Sequence, residues 1–158
     1  MATNAEAAYE KLKTTEGTDE GTGEWFEVTQ EQVDAFADLT HDHQFIHVDP
    51  ERAKPLFGGT IAHGFLTLSM LTHLAASIRP ETSVGPLEGM QMGMNYGFDK
   101  VRFVSPVPVG SKIRASSSVK SVSLKGNSVE VTKTYTVEVE GGERPALVAD
   151  WITRIFFS

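Results

Sequence analysis

Cysteine is absent from this chain of 158 residues, which excludes disulfides, thiolate metal sites, iron–sulfur clusters and cysteine nucleophiles. Any chemistry must therefore use carboxylates, histidines, hydroxyl groups and backbone amides. No apolar run approaches the roughly 20 residues of a membrane-spanning helix, so the sequence predicts no membrane partner. The N-terminal stretch also lacks the basic and apolar regions of a signal peptide, and we expect a cytoplasmic protein.

Basic residues are scarce relative to acidic ones. The chain has 14 Lys and Arg against 21 Asp and Glu, which gives a net charge of -7 at pH 7. This charge repels phosphate backbones and no cluster of Lys or Arg offsets it, so nucleic acid is a poor partner. Hydrophobic residues at 40% and charged residues at 22% are typical of a folded globular protein.

The length allows one domain that buries roughly 70% of its unfolded surface. The first residues are polar and contain several glycines. They predict a flexible N-terminal segment over residues 1–23, with at most a short helix around Glu6–Leu12. A single domain is expected over residues 24–158.

Two capping signals predict short helices in the first half of the domain. The run TQEQ beginning at Thr29 fits a capping box and predicts a helix over residues 30–40. The pair Asp49-Pro50 fits an N-cap followed by proline at the first helical position. A second short helix is therefore expected to begin at Pro50.

The rest of the chain divides into one apolar segment and a series of strand patterns. Residues 61–78 are apolar around most of a helical circumference, which predicts a helix buried on nearly all sides. From Met90 onward, alternating and β-branched residues separated by turn signals predict antiparallel strands. This order indicates the α+β class, with a curved sheet wrapped around one apolar helix.

All five histidines fall between positions 41 and 73, three of them in the run HDHQFIH that begins at His41. Imidazole beside carboxylate suits general acid–base catalysis near neutral pH. We select Asp42 and His47, because a tight turn can bring side chains five residues apart to one point. The alternative is structural: single histidines cap helices or fill cores, and Asp49 fits an N-cap. We expect His73, alone on the apolar helix, to be a buried or interface histidine.

Metal binding is a competing interpretation of the same cluster. The H-x-H pattern places two imidazoles on one face of an extended segment, and Asp42, Asp49 or His63 could complete a site. The sequence has no cysteine ligand and no helical H-E-x-x-H pair. We therefore predict no metal and no other cofactor.

A second candidate element is the run GGTIAHG, which ends at Gly64 and leads into the apolar helix. Unpaired N–H groups at a helix start bind developing negative charge, and the missing side chain of Gly64 lets a substrate carbonyl approach them. Such an arrangement would be an oxyanion hole. The glycines would serve close packing of a loop on a sheet equally well, and the sequence leaves both interpretations open.

Two runs together resemble MaoC-like, R-specific enoyl-CoA hydratases, with the features of the NodN-like branch of that family. The first is FADLTHDHQFIHVDPERA at residues 36–53, and the second is FGGTIAHGFL at residues 57–66. Further similarity lies in NYGFDKVRF at residues 95–103 and in PVPVG at residues 106–110. The resemblance covers residues 25–157.

This resemblance implies a hot-dog fold, in which a strongly curved antiparallel sheet holds a long central helix, and it implies a homodimer. It places Asp42 and His47 at the catalytic acid and imidazole positions, and Gly64 at the position whose N–H holds the thioester oxygen. Gln44 keeps an amide that would orient water. The common form of the motif is G-D-x-N-P-[IL]-H, so His41 here stands where that form has glycine.

The resulting prediction is an R-specific enoyl-CoA hydratase, a hydro-lyase that adds water reversibly to a trans-2-enoyl-CoA thioester without a cofactor. Within the enzyme class, the alternative is dehydration of 3-hydroxyacyl carrier protein in fatty-acid synthesis. A non-catalytic hot-dog domain that binds acyl thioesters is the alternative from another class. We expect the partners to be an acyl-CoA substrate and a second copy of this chain.

Overall fold

The helices and strands follow the order predicted from the sequence. A computed structural model describes residues 2–158. Its helices are α1 (Asn4–Lys13), α2 (Gln30–Thr40), α3 (Phe45–Val48), α4 (Pro50–Phe57), α5 (Gly64–Ser69) and α6 (Leu71–Ala76). Its strands are β1 (Asp19–Thr22), β2 (Phe26–Glu27), β3 (Met90–Phe103), β4 (Lys112–Lys125), β5 (Ser128–Val139) and β6 (Leu147–Phe157). The predicted α+β class is confirmed.

The strands form one antiparallel sheet in the order β1-β4-β5-β6-β3, with β2 also paired to β4. Register shifts interrupt the β3–β6 and β4–β5 pairings, and such bulges increase the local bend and twist of strands. Alternate side chains along most of β4 are buried on one face, and buried residues of β5 and β6 join them and the helices in the core. Among the described strands, β3 pairs with β6 alone and leaves its other edge open.

The apolar helix is divided at Met70 into α5 and α6. The N–H of Met70 donates to the Leu66 carbonyl, and the N–H of Leu74 donates to the Met70 carbonyl, each at 2.9 Å, so helical hydrogen bonding continues on both sides of the division. Leu71 and Leu74 are buried against the sheet, whereas Phe65 is 67% exposed. The expectation of burial on nearly all sides is wrong for the single chain, because the sheet covers only one side of this helix.

Within the segment over residues 1–23 that the sequence predicted to be flexible, Asn4–Lys13 form a helix and Asp19–Thr22 form a strand. A capping box formed by Thr3 and Glu6 starts α1, which confirms the short helix expected there. Its buried Ala5 and Ala8 pack on a cluster of sheet residues, Val119, Val122, Val129, Val131 and Phe157. Strand β1 then joins β4. Two alanines give little hydrophobic signal in a sequence, yet their small size lets α1 approach the sheet closely. None of the helices described in residues 2–158 is both long and apolar enough to cross a membrane.

Helix α2 begins and ends with distinct capping geometry. The predicted capping box is confirmed, because Thr29 and Gln32 exchange side-chain and backbone hydrogen bonds. At the other end His41 has φ 61° and ψ 24°, and within residues 2–158 it is the one non-glycine residue with a positive φ. This left-handed residue ends the helix and turns the chain toward Asp42. For an L residue the conformation costs roughly 1–2 kcal/mol.

His41→Gly should raise the free energy of unfolding by roughly 0.5–1 kcal/mol, because glycine adopts this conformation without strain but loses more backbone entropy on folding. Urea and thermal unfolding would measure the change, and about 1 kcal/mol corresponds to roughly 2–4 °C in Tm for a domain of this size. Thr40→Gly is the matched control. It places glycine one residue earlier, inside the helix, and should destabilise the protein instead. A His41→Gly protein less stable than wild type would contradict the assignment of strain to this residue.

Candidate active site

His47 lies on α3 with its ring almost fully buried, at 6% exposure. Its Nδ1 is 2.7 Å from the carbonyl oxygen of Ile61. A carbonyl oxygen only accepts, so Nδ1 donates and carries the proton of the neutral ring. Since His47 also lines the cavity described below, Nε2 is the nitrogen left to accept a proton or a hydrogen bond from a ligand.

A partly buried side-chain amide holds the backbone of His47 in place. The Nε2 of Gln30, in the first turn of α2, donates to the His47 carbonyl at 2.8 Å. The Oε1 of Gln30 accepts from the hydroxyl of buried Thr60 at 2.5 Å. Gln30 therefore ties α2 and α3 to the chain that leads into α5. Sequence reasoning missed both residues, because a glutamine at a helix start and a threonine after two glycines carry no chemical signature.

Asp42 follows the left-handed His41 in an exposed turn. Its Oδ1 is 3.4 Å from the backbone nitrogen of Gln44, the arrangement of an Asx turn. One side-chain oxygen or nitrogen each from Asp42, His47 and His63 lie within 4.8 Å of one another. The structure thus brings together the Asp42–His47 pair selected from the sequence and adds His63 to it. Gln44 caps α3 without a side-chain hydrogen bond and does not line the cavity, so its role with water stays a prediction.

His63 is the most deeply buried member of this cluster, at 2% exposure. Its Nε2 lies 3.0 Å from the backbone carbonyl oxygen of Asp42. Its ring stacks on that of His47, with centroids 3.9 Å apart and planes inclined by 26°. On another side it contacts the ring of Phe36, at a centroid distance of 5.0 Å. His63 therefore connects the Asp42 turn, α3 and α2.

The stacking of His47 and His63 bears on the metal interpretation. An imidazole lone pair lies in the plane of its ring, so two stacked rings direct their lone pairs side by side rather than toward one point. A shared zinc ion at about 2.0–2.1 Å from both nitrogens would require one ring to turn. The buried hydrogen bonds of both rings oppose that turn. The geometry favours acid–base chemistry over chelation.

A cavity of about 230 Å³ opens beside His47. Its lining residues come from α3, the segment before and into α5, and the β3–β4 and β5–β6 connections: His47, Ile61, Ala62, Gly64, Thr67, Phe103, Val104, Ser105, Pro106, Val107 and Ala146. Most of these side chains are apolar, and the ionisable one is His47. An apolar wall keeps water away from the few polar groups in the cavity. The electrostatic effect of those groups on a bound molecule is therefore stronger than in water.

Gly64 is the first residue of α5 and lines this cavity. As a helix-starting residue, it has an N–H without an intrahelical acceptor. A Cβ at this position would lie 2.9 Å from Cδ1 of Phe103, too close for the ring to stay where it is. Phe103 is 50% exposed and meets Phe65 edge-on at a centroid distance of 5.9 Å. The missing side chain therefore serves close packing under Phe103.

The other residues considered in the sequence have structural surroundings. His43 pairs with Asp38 at 2.8 Å, and both side chains are largely exposed. Asp49 caps the start of α4, as the structural alternative predicted. His73 is exposed in the single chain and meets the ring of Phe26 edge-on at 4.9 Å. None of these side chains lines the cavity.

The ionisable groups with displaced pKa values lie on the sheet and at the end of α1, away from the cavity. Burial raises the pKa of Tyr135 to about 12. Burial alone would also raise the pKa of Asp150, but hydrogen bonds from Lys120 and Thr134 outweigh it and hold that pKa below its usual value. These hydrogen bonds join β4 and β5 to β6, so they stabilise the pairing of the strands in the sheet.

Known proteins share this sequence and architecture. Residues 11–141 match the MaoC like domain. Nodulation protein N of Rhizobium leguminosarum bv. viciae is 51% identical over 145 residues, which cover 89% of this chain and 86% of that protein. The 3-hydroxyacyl-thioester dehydratase Z of Mycobacterium tuberculosis is 48% identical over 156 residues, which cover 98% of this chain and 94% of that protein.

Among solved structures, the (R)-hydratase from A. caviae involved in PHA biosynthesis superposes with a TM-score of 0.66 at 24% identity, over 87% of this chain and 93% of that one. A protein from Archaeoglobus described as a monoamine oxidase regulatory protein gives a TM-score of 0.69 at 29% identity, over 90% of each chain. These likenesses confirm the predicted hot-dog fold. Together with the matched domain and the two close relatives, they show that the chain belongs to the MaoC-like hydratase and dehydratase family.

Proposed function

We propose that this protein is an R-specific enoyl-CoA hydratase, which adds water reversibly to trans-2-enoyl-CoA and gives (R)-3-hydroxyacyl-CoA. The observation that carries the proposal is the meeting of Asp42 and His47 at the edge of a cavity that Gly64 also lines. The relative that is 48% identical is named a 3-hydroxyacyl-thioester dehydratase, which describes the reverse reaction. The R configuration follows from the resemblance of the HDHQFIH run to the family's hydratase motif.

In this mechanism one water molecule, held between Asp42 and His47, supplies both atoms that are added. Nε2 of His47 accepts a proton from the water while its oxygen bonds to C3 of the enoyl group. The π electrons of the C2–C3 bond move toward the thioester, whose oxygen gains negative charge. The proton on Nε2 then passes to C2 and the thioester carbonyl is restored. Asp42 accepts a hydrogen bond from the hydrogen that stays on the new hydroxyl group and so orients the water.

Gly64 has a separate role, the stabilisation of the charge that develops on the thioester oxygen. Its N–H is at the start of α5, where unpaired backbone donors and the helix dipole favour negative charge. The cavity places this donor and His47 around the same small volume. Gly64 and His47, with Asp42 beside His47, would supply an oxyanion donor and acid–base groups at one cavity, the two components that hydration of a thioester-conjugated double bond needs.

Asp42→Asn and His47→Gln should each lower kcat for hydration of crotonyl-CoA by at least ~10²-fold. His47 transfers the proton, and such a group typically contributes about 10²–10⁴-fold. A neutral amide in place of the Asp42 carboxylate is a weaker acceptor and can also turn its NH₂ group toward the water. Loss of the enoyl-thioester absorbance measures the rate. Circular dichroism and Tm establish that each variant is folded. His43→Ala is the control, since His43 is exposed and pairs with Asp38 outside the cavity, and it should retain most of the activity.

An Asp42→Asn enzyme with near-normal turnover would remove this mechanism. A wild-type protein that binds crotonyl-CoA without hydrating it would instead support the non-catalytic alternative. The carrier-protein alternative is separated by assaying the same crotonyl group on coenzyme A and on acyl carrier protein, with kcat/KM as the measure of preference.

Gly64→Ala should lower kcat by roughly 10–10³-fold at unchanged Tm, because a methyl group beside the N–H keeps the thioester oxygen from its donor. The same Cβ also displaces the Phe103 ring, so the experiment needs the pair of variants Phe103→Ala and Gly64→Ala/Phe103→Ala. Loss of activity that persists in the Phe103→Ala background supports the oxyanion role. Full recovery in that background would leave only the packing role for Gly64.

The open edge of the sheet supports a homodimer as the working unit. Strand β3 is 14 residues long, and most of its side chains are exposed in the single chain. Large apolar ones among them are Met90, Met92, Met94, Tyr96, Phe98 and Phe103. A long apolar edge strand invites pairing with another strand, and a second copy offers the same edge in the antiparallel sense under twofold symmetry.

Light scattering should therefore give a mass near twice 17.2 kDa at micromolar concentration. Met94→Lys places a charge on the β3 edge and should shift the protein toward the monomer. Leu124→Lys is the matched control, because Leu124 is an exposed apolar residue at the far end of β4, and it should leave the mass unchanged. A wild-type monomer over this concentration range would contradict the dimer.

A further inference from the structure

His63 lies next to each of the three residues to which the proposed mechanism assigns a role. Its ring stacks on His47 at 3.9 Å, its Nε2 lies 3.0 Å from the Asp42 carbonyl, and it directly precedes Gly64 as the N-cap of α5. The hydration mechanism above assigns it no step. It does not line the cavity, so it is placed to act on the reacting groups rather than on the substrate.

The contact between the His63 ring and the Asp42 carbonyl shows which ring nitrogen carries the proton. The Asp42 carbonyl can only accept, so Nε2 carries the proton and donates. Nδ1 of the neutral ring is then an unprotonated acceptor, and it is buried without a hydrogen-bond partner in the described chain. A phenyl ring would fill the same space and leave no polar atom unpaired. The contact that requires an imidazole here is the Nε2–H bond to Asp42.

The turn that carries Asp42 has few other constraints. Asp42 is exposed, and the contact between its carboxylate and the Gln44 amide is long, at 3.4 Å. The preceding residue, His41, holds a left-handed conformation that does not favour an L side chain. Apart from the exposed His43–Asp38 pair, neither packing nor local conformation therefore fixes the turn. A bond from the rigid start of α5 to the Asp42 carbonyl would supply that constraint.

We propose that His63 is a positioning residue, which fixes the Asp42 turn through its Nε2–H and the plane of the His47 ring through stacking. This inference rests on the function proposed above, since it concerns the pair that would hold the water. Displacement of a reacting group by about 1 Å can cost on the order of 10²-fold in rate. A residue that sets the distance between Asp42 and His47 therefore has a large effect on kcat without contacting the substrate.

His63→Phe keeps a flat ring that can stack on His47 but removes the donor to Asp42. We expect kcat for crotonyl-CoA hydration to fall roughly 10–100-fold, with KM within about twofold of wild type and a similar Tm. His63→Gln carries an amide N–H of comparable reach but no ring, so it should recover part of the lost kcat, and the remaining loss measures the stacking on His47. His73→Phe is the matched control. It makes the same change at an exposed histidine outside the site and should alter neither kcat nor KM.

Backbone hydrogen exchange over residues 41–45 provides a readout that does not depend on turnover. Exchange there should be faster in His63→Phe and should return toward wild type in His63→Gln. A His63→Phe protein with wild-type kcat, or with unchanged exchange in this segment, would overturn the proposal. So would exchange over residues 41–45 that His63→Gln does not return toward wild type. If wild-type protein hydrates no enoyl thioester, the proposed function fails, and the exchange comparison still decides whether His63 holds the Asp42 turn.

Discussion

The extended segment before α5 is held on both sides, and the geometry of the candidate site depends on this. The Ile61 carbonyl accepts the Nδ1 proton of His47, and the Ile61 N–H donates to the Ile46 carbonyl at 3.0 Å. On its other side the Ala62 N–H donates to the Val107 carbonyl at 2.8 Å. One short piece of chain thus joins α3 to the β3–β4 connection. Both the orientation and the tautomer of the His47 ring follow from that junction.

The same junction explains why the cavity is apolar on one side and polar on the other. The β3–β4 and β5–β6 connections contribute Val107 and Ala146, which belong to the hydrophobic core, and the end of β3 contributes the half-exposed Phe103. The α3 side contributes His47, with Asp42 and His63 behind it. A substrate in this cavity would meet its reacting groups from one direction and low-polarity walls from the others. In such surroundings a fixed donor or acceptor has a larger effect than in water.

Much of this arrangement could be predicted from local sequence patterns. Capping residues gave the starts of α2 and α4, alternation gave β3 to β6, and the clustered histidines gave the Asp42–His47 pair. The packing of α1 could not be predicted, because Ala5 and Ala8 lack the apolar bulk that marks a buried face. The parts played by Gln30 and Thr60 were also hidden, since each acts through a contact between segments that are distant in the sequence. For Gly64 the sequence posed two roles, and the Phe103 ring over its Cα adds weight to packing without removing the other.

Two uncovered surfaces of the single chain, the outer side of α5 and the open strand β3, meet beside the cavity. Phe65, on the uncovered side of α5, contacts Phe103 at the end of the open strand β3. Phe103 in turn stands over Gly64 and lines the cavity. A second chain paired along β3 would therefore cover apolar surface next to the very residues that bound the site. The single chain leaves the rings of Phe65 and Phe103 exposed by half or more. Pairing of a second chain along β3 would cover these rings and complete the wall of the cavity at the same time. Formation of the proposed dimer would then be coupled to the proposed hydration chemistry.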